Sequence, residues 1–257
     1  MLKSLDLSGR VAVVLGGTSG LGRTMALGLA EAGADVVPAG RREALVREVC
    51  DEIGRRGRRS LPLIADVRNR SSLDALRDTV LEHFGHIDTL LYAAGQVVRK
   101  PTVAVTEEEW LDTMDVNAGG ALRACQSFYE PLAKSGRGRV IHIASLNSFV
   151  SLKEVAAYAA AKTALLSLTR SLAIEWAMSG VNVNAIAPGV FRTDLNRKLL
   201  DETERGRELL MRTPMKRFDC PKELIGAAVL LASDAASFIT GQCLVVDGGF
   251  LASGVNS

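Results

Sequence analysis

The chain has 257 residues, enough to bury one substantial core. With 47% hydrophobic and 23% charged residues it falls outside the disordered and collagen-like classes. Lys and Arg total 31 against 29 Asp and Glu, a net charge of +2, without the basic excess of a dedicated nucleic-acid binder. No apolar run approaches the roughly 18–20 residues that span a bilayer. The start, Met1-Leu2-Lys3-Ser4-Leu5-Asp6, lacks the charged-then-apolar pattern of a signal peptide, so the expectation is a soluble, cytoplasmic protein.

Short β-branched runs alternate with longer amphipathic stretches along the whole chain. Val11–Leu15 reads as a strand that ends in glycines, and Leu21–Ala32 as a helix stopped by Gly33. A strand at Val36–Ala39 precedes a helix at Arg42–Gly54. Pro38 lacks an N–H for a ladder and is expected near that strand's C-terminal end. Leu61–Ala65 reads as a strand and Ser71–Phe84 as a helix, with Ser71 or Ser72 as N-cap and His83 favourably placed in its last turn. Further strands are expected at Ile87–Ala93, Arg139–Ala144, Val181–Ala187 and Leu244–Asp247. Helices are expected at Thr106–Ser135, Lys153–Ser179 and Pro221–Ser233. The strands are continuous apolar runs, as in a parallel sheet buried on both faces. The expected fold is therefore α/β: a single Rossmann-type doubly wound parallel sheet of about seven strands, in one domain over 1–257.

Cys50, Cys125, Cys220 and Cys243 lie far apart with no C-x-x-C pair and read as reduced thiols. His83 and His86 have no further ligands nearby, so no metal site is expected. No serine sits in a G-x-S-x-G elbow.

Directly after the first strand comes Gly16-Gly17-Thr18-Ser19-Gly20-Leu21-Gly22, opening into a helix. Residues without side chains allow close backbone approach, and the helix N-terminus offers free N–H groups to a pyrophosphate. The second strand is followed by Gly40-Arg41-Arg42, with no carboxylate before Glu43. An acidic residue there would hold the adenosine ribose hydroxyls; Arg41 instead suits a 2′-phosphate, which favours NADP and leaves NAD possible.

Tyr158-Ala159-Ala160-Ala161-Lys162 sets a phenol and an ammonium one helical turn apart. Thirteen residues before Tyr158, Ser145 ends an apolar strand. Proton transfer at a carbonyl oxygen near neutrality requires lowering a phenol of pKa about 10 by about 3–4 kcal/mol. One ammonium at about 4 Å supplies roughly that.

The glycine turn, Ser145 and the Tyr158/Lys162 pair together resemble the short-chain dehydrogenase/reductase family over nearly the whole chain. The resemblance implies that Asn117, Ser145, Tyr158 and Lys162 are catalytic. Asn117 would hold a proton-relay water through its backbone, and Lys162 would also bond the nicotinamide ribose. It further implies that Asp66-Val67 meets the adenine, and that Ala93-Ala94-Gly95, Pro188-Gly189-Val190 and Thr193 line the dinucleotide. Val246-Asp247-Gly248-Gly249 matches the family's C-terminal signature, and a homotetramer through the helices bearing Asn117 and Tyr158 is implied as well. Leu15 stands for the family's usual Thr, and Tyr92-Ala93-Ala94-Gly95 for its Asn-Asn-Ala-Gly. The reading here is that Leu15 and Ala93 replace two hydrogen-bonding partners together, which is close to neutral.

Other signals are weaker. Arg55-Arg56-Gly57-Arg58-Arg59 reads as a solvated turn, and Trp110 and Trp176 as packing residues. The segments Gly95–Pro101, Arg212–Phe218 and Pro221–Gly226 resemble the gluconate 5-dehydrogenase and 2-deoxygluconate 3-dehydrogenase branch, whose members carry an Arg pair that Val98-Arg99 matches in its second position. Arg99 then either binds a sugar-acid carboxylate or is, with Lys100, a solvated or intersubunit charge. Asn147 and Ser148 would complete the substrate pocket, with 190–212 as a lid. The expected function is NADP-dependent interconversion of a secondary alcohol and a ketone. A 3-oxoacyl carrier-protein reductase and a catalytically weak dinucleotide-binding protein are the alternatives.

Overall fold

The computed structural model describes residues 2–192 and 200–254 in full and 197–199 as backbone. Six parallel strands form one sheet: β1 (Val11–Leu15), β2 (Asp35–Ala39), β3 (Thr89–Tyr92), β4 (Gly138–Ile143), β5 (Val181–Pro188) and β6 (Cys243–Val246), in the order β2-β1-β3-β4-β5-β6. The chain leaves β1 toward β2 on one side and reaches β3 on the other, so a crevice opens above the C-terminal ends of β1 and β3.

Alternation along the strands divides the core into two layers. Val11, Val13 and Leu15 pack with α3 (Arg70–Phe84), α5 (Gly120–Lys134) and α6 (Ala156–Trp176). Ala12 and Val14 pack with α1 (Gly20–Glu31), α2 (Glu43–Arg55) and α9 (Ile225–Ala232). The remaining helices are α4 (Glu107–Met114), α7 (Arg197–Glu202) and α8 (Glu204–Arg212). Among the described residues, no helix is long and apolar enough to cross a membrane.

The segment expected as a seventh strand, Leu61–Ala65, joins the sheet through only the single bridge Gly40–Ile64. A proline explains why. The Val36 N–H points outward to the Arg59 carbonyl at 3.1 Å, so the missing N–H of Pro38, two residues on, belongs to the same ladder. Pro38 is the penultimate residue of β2, as its chemistry required.

The stretch 106–135 is two helices, α4 and α5, joined by one wider π-helical turn over Asp115–Gly119. Lys153–Ser179 is helical only from Ala156, and 221–224 forms a 3₁₀ turn before α9. The N-cap of α3 is Asn69, whose side chain accepts the Ser72 N–H at 3.2 Å, rather than Ser71 or Ser72. Trp176 is buried, whereas Trp110 on α4 is 39% exposed and is not a core residue. The basic run 55–59 is paired locally: Arg56 with Glu31 at 3.0 Å and Arg59 with Asp35 at 2.8 Å.

Below the sheet, Asp88 is fully buried. It accepts the Val11 N–H at 2.9 Å and the Arg137 Nε at 2.8 Å. Asp88→Ala leaves the buried Val11 N–H without a partner, while Arg137 keeps its bond to the Gly9 carbonyl at 2.8 Å, so a loss of about 2 kcal/mol is expected in denaturant unfolding. A change under about 1 kcal/mol would show that water replaces the lost bond to Val11.

Candidate active site

A cleft of about 610 Å³ lies over the C-terminal ends of β1 and β3. Gly16 to Gly22 form one wall. Gly16 has φ +79°, and a Cβ there would fall 2.6 Å from the Ala94 nitrogen. A Cβ on Gly22 would fall 2.2 Å from the Gly16 carbonyl oxygen. Both positions therefore demand glycine. Ser19, the N-cap of α1, spends no side-chain bond on the helix, so the first-turn N–H groups face the cleft for an anion. These are features of a phosphate cradle, and the residues present fit a dinucleotide.

Thr18, Ser19, Gly20, Leu21, Arg41, Arg42, Asp66, Val67, Ala93, Ala94 and Gly95 line the same cleft, as do Pro188, Gly189 and Val190. Thr193 lies outside the described residues. Arg41 and Arg42 are exposed, and Arg42 donates to the Ser19 hydroxyl at 2.9 Å. A Cβ on Gly189 would fall 2.6 Å from the Asp247 Cα, and Asp247 in turn accepts the Gly249 and Leu251 N–H groups at 2.8 and 2.7 Å. The Val246–Gly249 signature thus buttresses the Pro188–Val190 wall.

Ser145, Asn147, Tyr158 and Lys162 also face the cleft. Ser145 follows β4 in extended backbone, and the first turns of α6 set Tyr158 and Lys162 beside it. Burial raises the Tyr158 phenol above its ordinary range, while the hydrogen bond with Ser145 opposes that shift. Lys162 is buried and donates to the Ile143 carbonyl at 2.8 Å, and burial lowers its ammonium to about 8. Its Nζ stands 5.6 Å from the centre of the Tyr158 ring. Asn147 hydrogen-bonds Ser145 through its N–H at 3.2 Å, and its own buried Oδ1 has no protein partner.

Asn117 sits in the π turn, fully buried, and donates to the carbonyls of Gln96 and Thr113 at 2.8 and 2.9 Å. It thereby ties the turn to the loop after β3. Its Oδ1 has no protein partner, and both this oxygen and the Lys162 Nζ lie close to the Gly95 Cα. A buried acceptor in that position suits an ordered water or a ligand hydroxyl.

The paired replacement expected of Leu15 and Ala93 does not hold. Leu15 is in register with Tyr92, and those two share one core layer while Ala93 belongs to the other. Tyr92 is the residue facing Leu15. Its hydroxyl donates to the Val116 carbonyl within the π turn, over Gly120, where a Cβ would collide with it. The local sequence carries no signal for that contact, which joins β3 to α5.

Sequence reasoning also missed Arg68 and Arg205. Arg68 lines the cleft, bonded to Asp112 at 2.7 Å and Gln96 at 3.2 Å. Arg205, on α8, reaches the same cleft from the segment expected to be a lid.

A family profile described as enoyl-(acyl carrier protein) reductase matches residues 16–251. The chain is 39% identical over 253 residues to 2-dehydro-3-deoxy-D-gluconate 5-dehydrogenase of Escherichia coli, covering 98% of this chain and 99% of that one. It is 34% identical to gluconate 5-dehydrogenase of Gluconobacter oxydans, covering 96% and 97%. The crystal structure of a gluconate 5-dehydrogenase from Burkholderia cenocepacia in complex with NADP and tartrate superposes with a TM-score of 0.94 at 36% identity, over 98% of this chain and 99% of that one. With the glycine cradle, the Ser145–Tyr158–Lys162 cluster and these matches along nearly its full length, the chain belongs to the short-chain dehydrogenase/reductase family of oxidoreductases.

Proposed function

We propose that the protein interconverts a secondary alcohol and a ketone on a sugar acid, using NADP. The observation that carries the reaction class is the assembly of Ser145, Tyr158 and Lys162 in one cleft with the Gly16–Gly22 cradle. The bound dinucleotide supplies the hydride donor or acceptor and, when oxidised, a positive charge. Tyr158 exchanges the proton at the substrate oxygen, Ser145 hydrogen-bonds that same oxygen, and the Lys162 ammonium stabilises the phenolate form. Burial alone keeps the phenol protonated, the form that protonates a developing alkoxide in the reductive direction. Asn117, in the π turn, holds the relay water through its backbone.

Arg41 and Arg42 take the 2′-phosphate, Asp66 and Val67 the adenine, and Pro188, Gly189, Val190 and Thr193 the nicotinamide side. The relatives with sugar-acid names and the neighbour that binds NADP and tartrate support this substrate and cofactor class. Arg99 and Asn147 hold the substrate, and the described part of the 190–212 lid, whose residues 193–196 lie outside the described residues, contributes Leu200 and Leu209 to the wall. Exposed Leu111, Leu122, Ile174 and Met178 on or beside α4, α5 and α6 support a homotetramer. Four free thiols suit a reducing, cytoplasmic setting.

The substrate class is tested with Arg99→Ala. Its KM for D-gluconate is expected to rise by about tenfold or more, from the lost charged hydrogen bonds, with little change for the neutral D-glucitol. Equal losses on both substrates, or none, would remove the sugar-acid reading and return the 3-oxoacyl reductase alternative.

A further inference from the structure

We propose that Arg205 is the second guanidinium of a carboxylate clamp with Arg99, and that a substrate carboxylate competes with Glu154 for Arg205. The inference rests on the sugar-acid reading above and names the specificity-determining residue which that reading lacks.

Elimination among the cleft's basic side chains leaves these two. Arg42 is bonded to Ser19 and lies, with Arg41, beside the phosphate cradle. Arg68 is held by Asp112 and Gln96, and Lys162 by the Ile143 carbonyl. Lys100, next to Arg99, sends its ammonium to Glu109 at 2.6 Å. Among the described residues, Arg99 has no hydrogen bond or ion pair at all, although its guanidinium lines the cleft.

Arg205 is oriented without being used up. Its Nη2 donates to the Lys153 carbonyl at 2.9 Å, while Nη1 reaches the Glu154 Oε2 only at a long 3.3 Å. Arg205 and Arg99 line one cleft; burial lowers the Arg99 guanidinium, the Arg205 charge adds to that and Glu154 opposes it. Among the described residues Glu154 pairs with Arg205 alone, so the Arg99 charge has no counter-ion there and a bound carboxylate would balance it.

Glu154 is held under strain. Its φ of +68° lies in the left-handed region, unusual for a residue with a side chain. Its carbonyl accepts the Lys100 N–H at 3.0 Å, and its carboxylate meets Arg205. One residue therefore joins the loop after β3, the approach to α6 four residues before Tyr158, and α8. A ligand carboxylate seated between Arg99 and Arg205 takes over the charge that Glu154 supplies, and draws α8 toward the cleft through Arg205 rather than through Glu154.

The test uses the full-length protein with NADPH bound, titrating D-gluconate calorimetrically, alongside steady-state kinetics on D-gluconate and D-glucitol. Arg205→Ala is expected to weaken gluconate binding and raise its KM about tenfold or more, with D-glucitol changing less than about twofold. Arg205→Lys, which keeps the charge but loses the fork, is expected to fall between. It also serves if the alanine variant does not fold. Glu154→Gln is expected to tighten gluconate, because the internal competitor is neutralised, whereas a purely structural role for Glu154 predicts parallel losses on both substrates. If Arg99→Ala weakens gluconate and Arg205→Ala and Arg205→Lys do not, the clamp is wrong and the sugar-acid reading survives. If the unmodified complex fails to bind gluconate, both fall.

Discussion

Tyr158→Phe is expected to lower kcat by at least about 10³-fold while leaving NADPH affinity within about threefold, because acid–base catalysis contributes about 10²–10⁴-fold and the phenol oxygen is the only atom removed. The variant is informative because its ring stays in place. The Ser145 hydrogen bond is lost, but the apolar contacts of α6 and the Lys162–Ile143 bond are untouched. Fluorescence titration with NADPH and turnover on D-gluconate, run on one preparation, separate binding from chemistry. A variant that turns over within about tenfold of the parent would overturn Tyr158 as the acid–base group. The pH dependence gives a second readout. Oxidation of an alcohol requires the phenolate, so its rate rises with pH until Tyr158 is ionised, and reduction falls over the same range. Since burial raises the Tyr158 phenol, that limb is expected to shift toward lower pH when the cofactor's positive charge is present. In Tyr158→Phe both limbs flatten.

Arg41→Ala is expected to raise the NADPH dissociation constant by about 10–100-fold and that of NADH by less than about threefold, since only NADPH offers the additional phosphate to a charged hydrogen bond. Arg41 is exposed at the end of β2 beside the cradle, and the next acidic residue, Glu43, is engaged by Arg47 at 2.7 Å. No carboxylate therefore stands where the ribose hydroxyls of NADH would need one. Arg42 is fixed to Ser19, so it retains part of the phosphate affinity in the single variant, and removing both arginines is expected to abolish the preference. Equal effects of Arg41→Ala on the two cofactors would make it a surface charge.

Much of the fold and cleft was legible in the residues because it depends on short-range physics. Part of the glycine turn is required locally: Gly22 abuts the Gly16 carbonyl, six residues earlier. Tyr158 and Lys162 share a face because the helix turns every 3.6 residues. Apolar strands alternating with amphipathic helices specify a parallel sheet covered on both sides, whatever the loops do.

The contacts that needed the folded chain join segments far apart in sequence. Leu15 faces Tyr92 rather than Ala93 because the β1–β3 register, not adjacency in a motif, decides which side chains share a layer. In the stretch 106–135 the pair Gly119-Gly120 marks an irregularity but not its kind; the Tyr92 hydroxyl from β3 and the Asn117 bonds to Gln96 and Thr113 accompany the π turn found there. Leu61–Ala65 has strand composition, yet its partner's missing donor at Pro38 reduces it to one bridge. Arg205 looked like any charge on an amphipathic helix until α8 carried it to the cleft beside Arg99. Residue types and local spacing determined the reaction chemistry by themselves, since turns and helix faces follow from nearby sterics. Tertiary packing decided which distant charges meet at the substrate's far end, because only the docking of whole elements brings residues about a hundred positions apart within reach of one carboxylate.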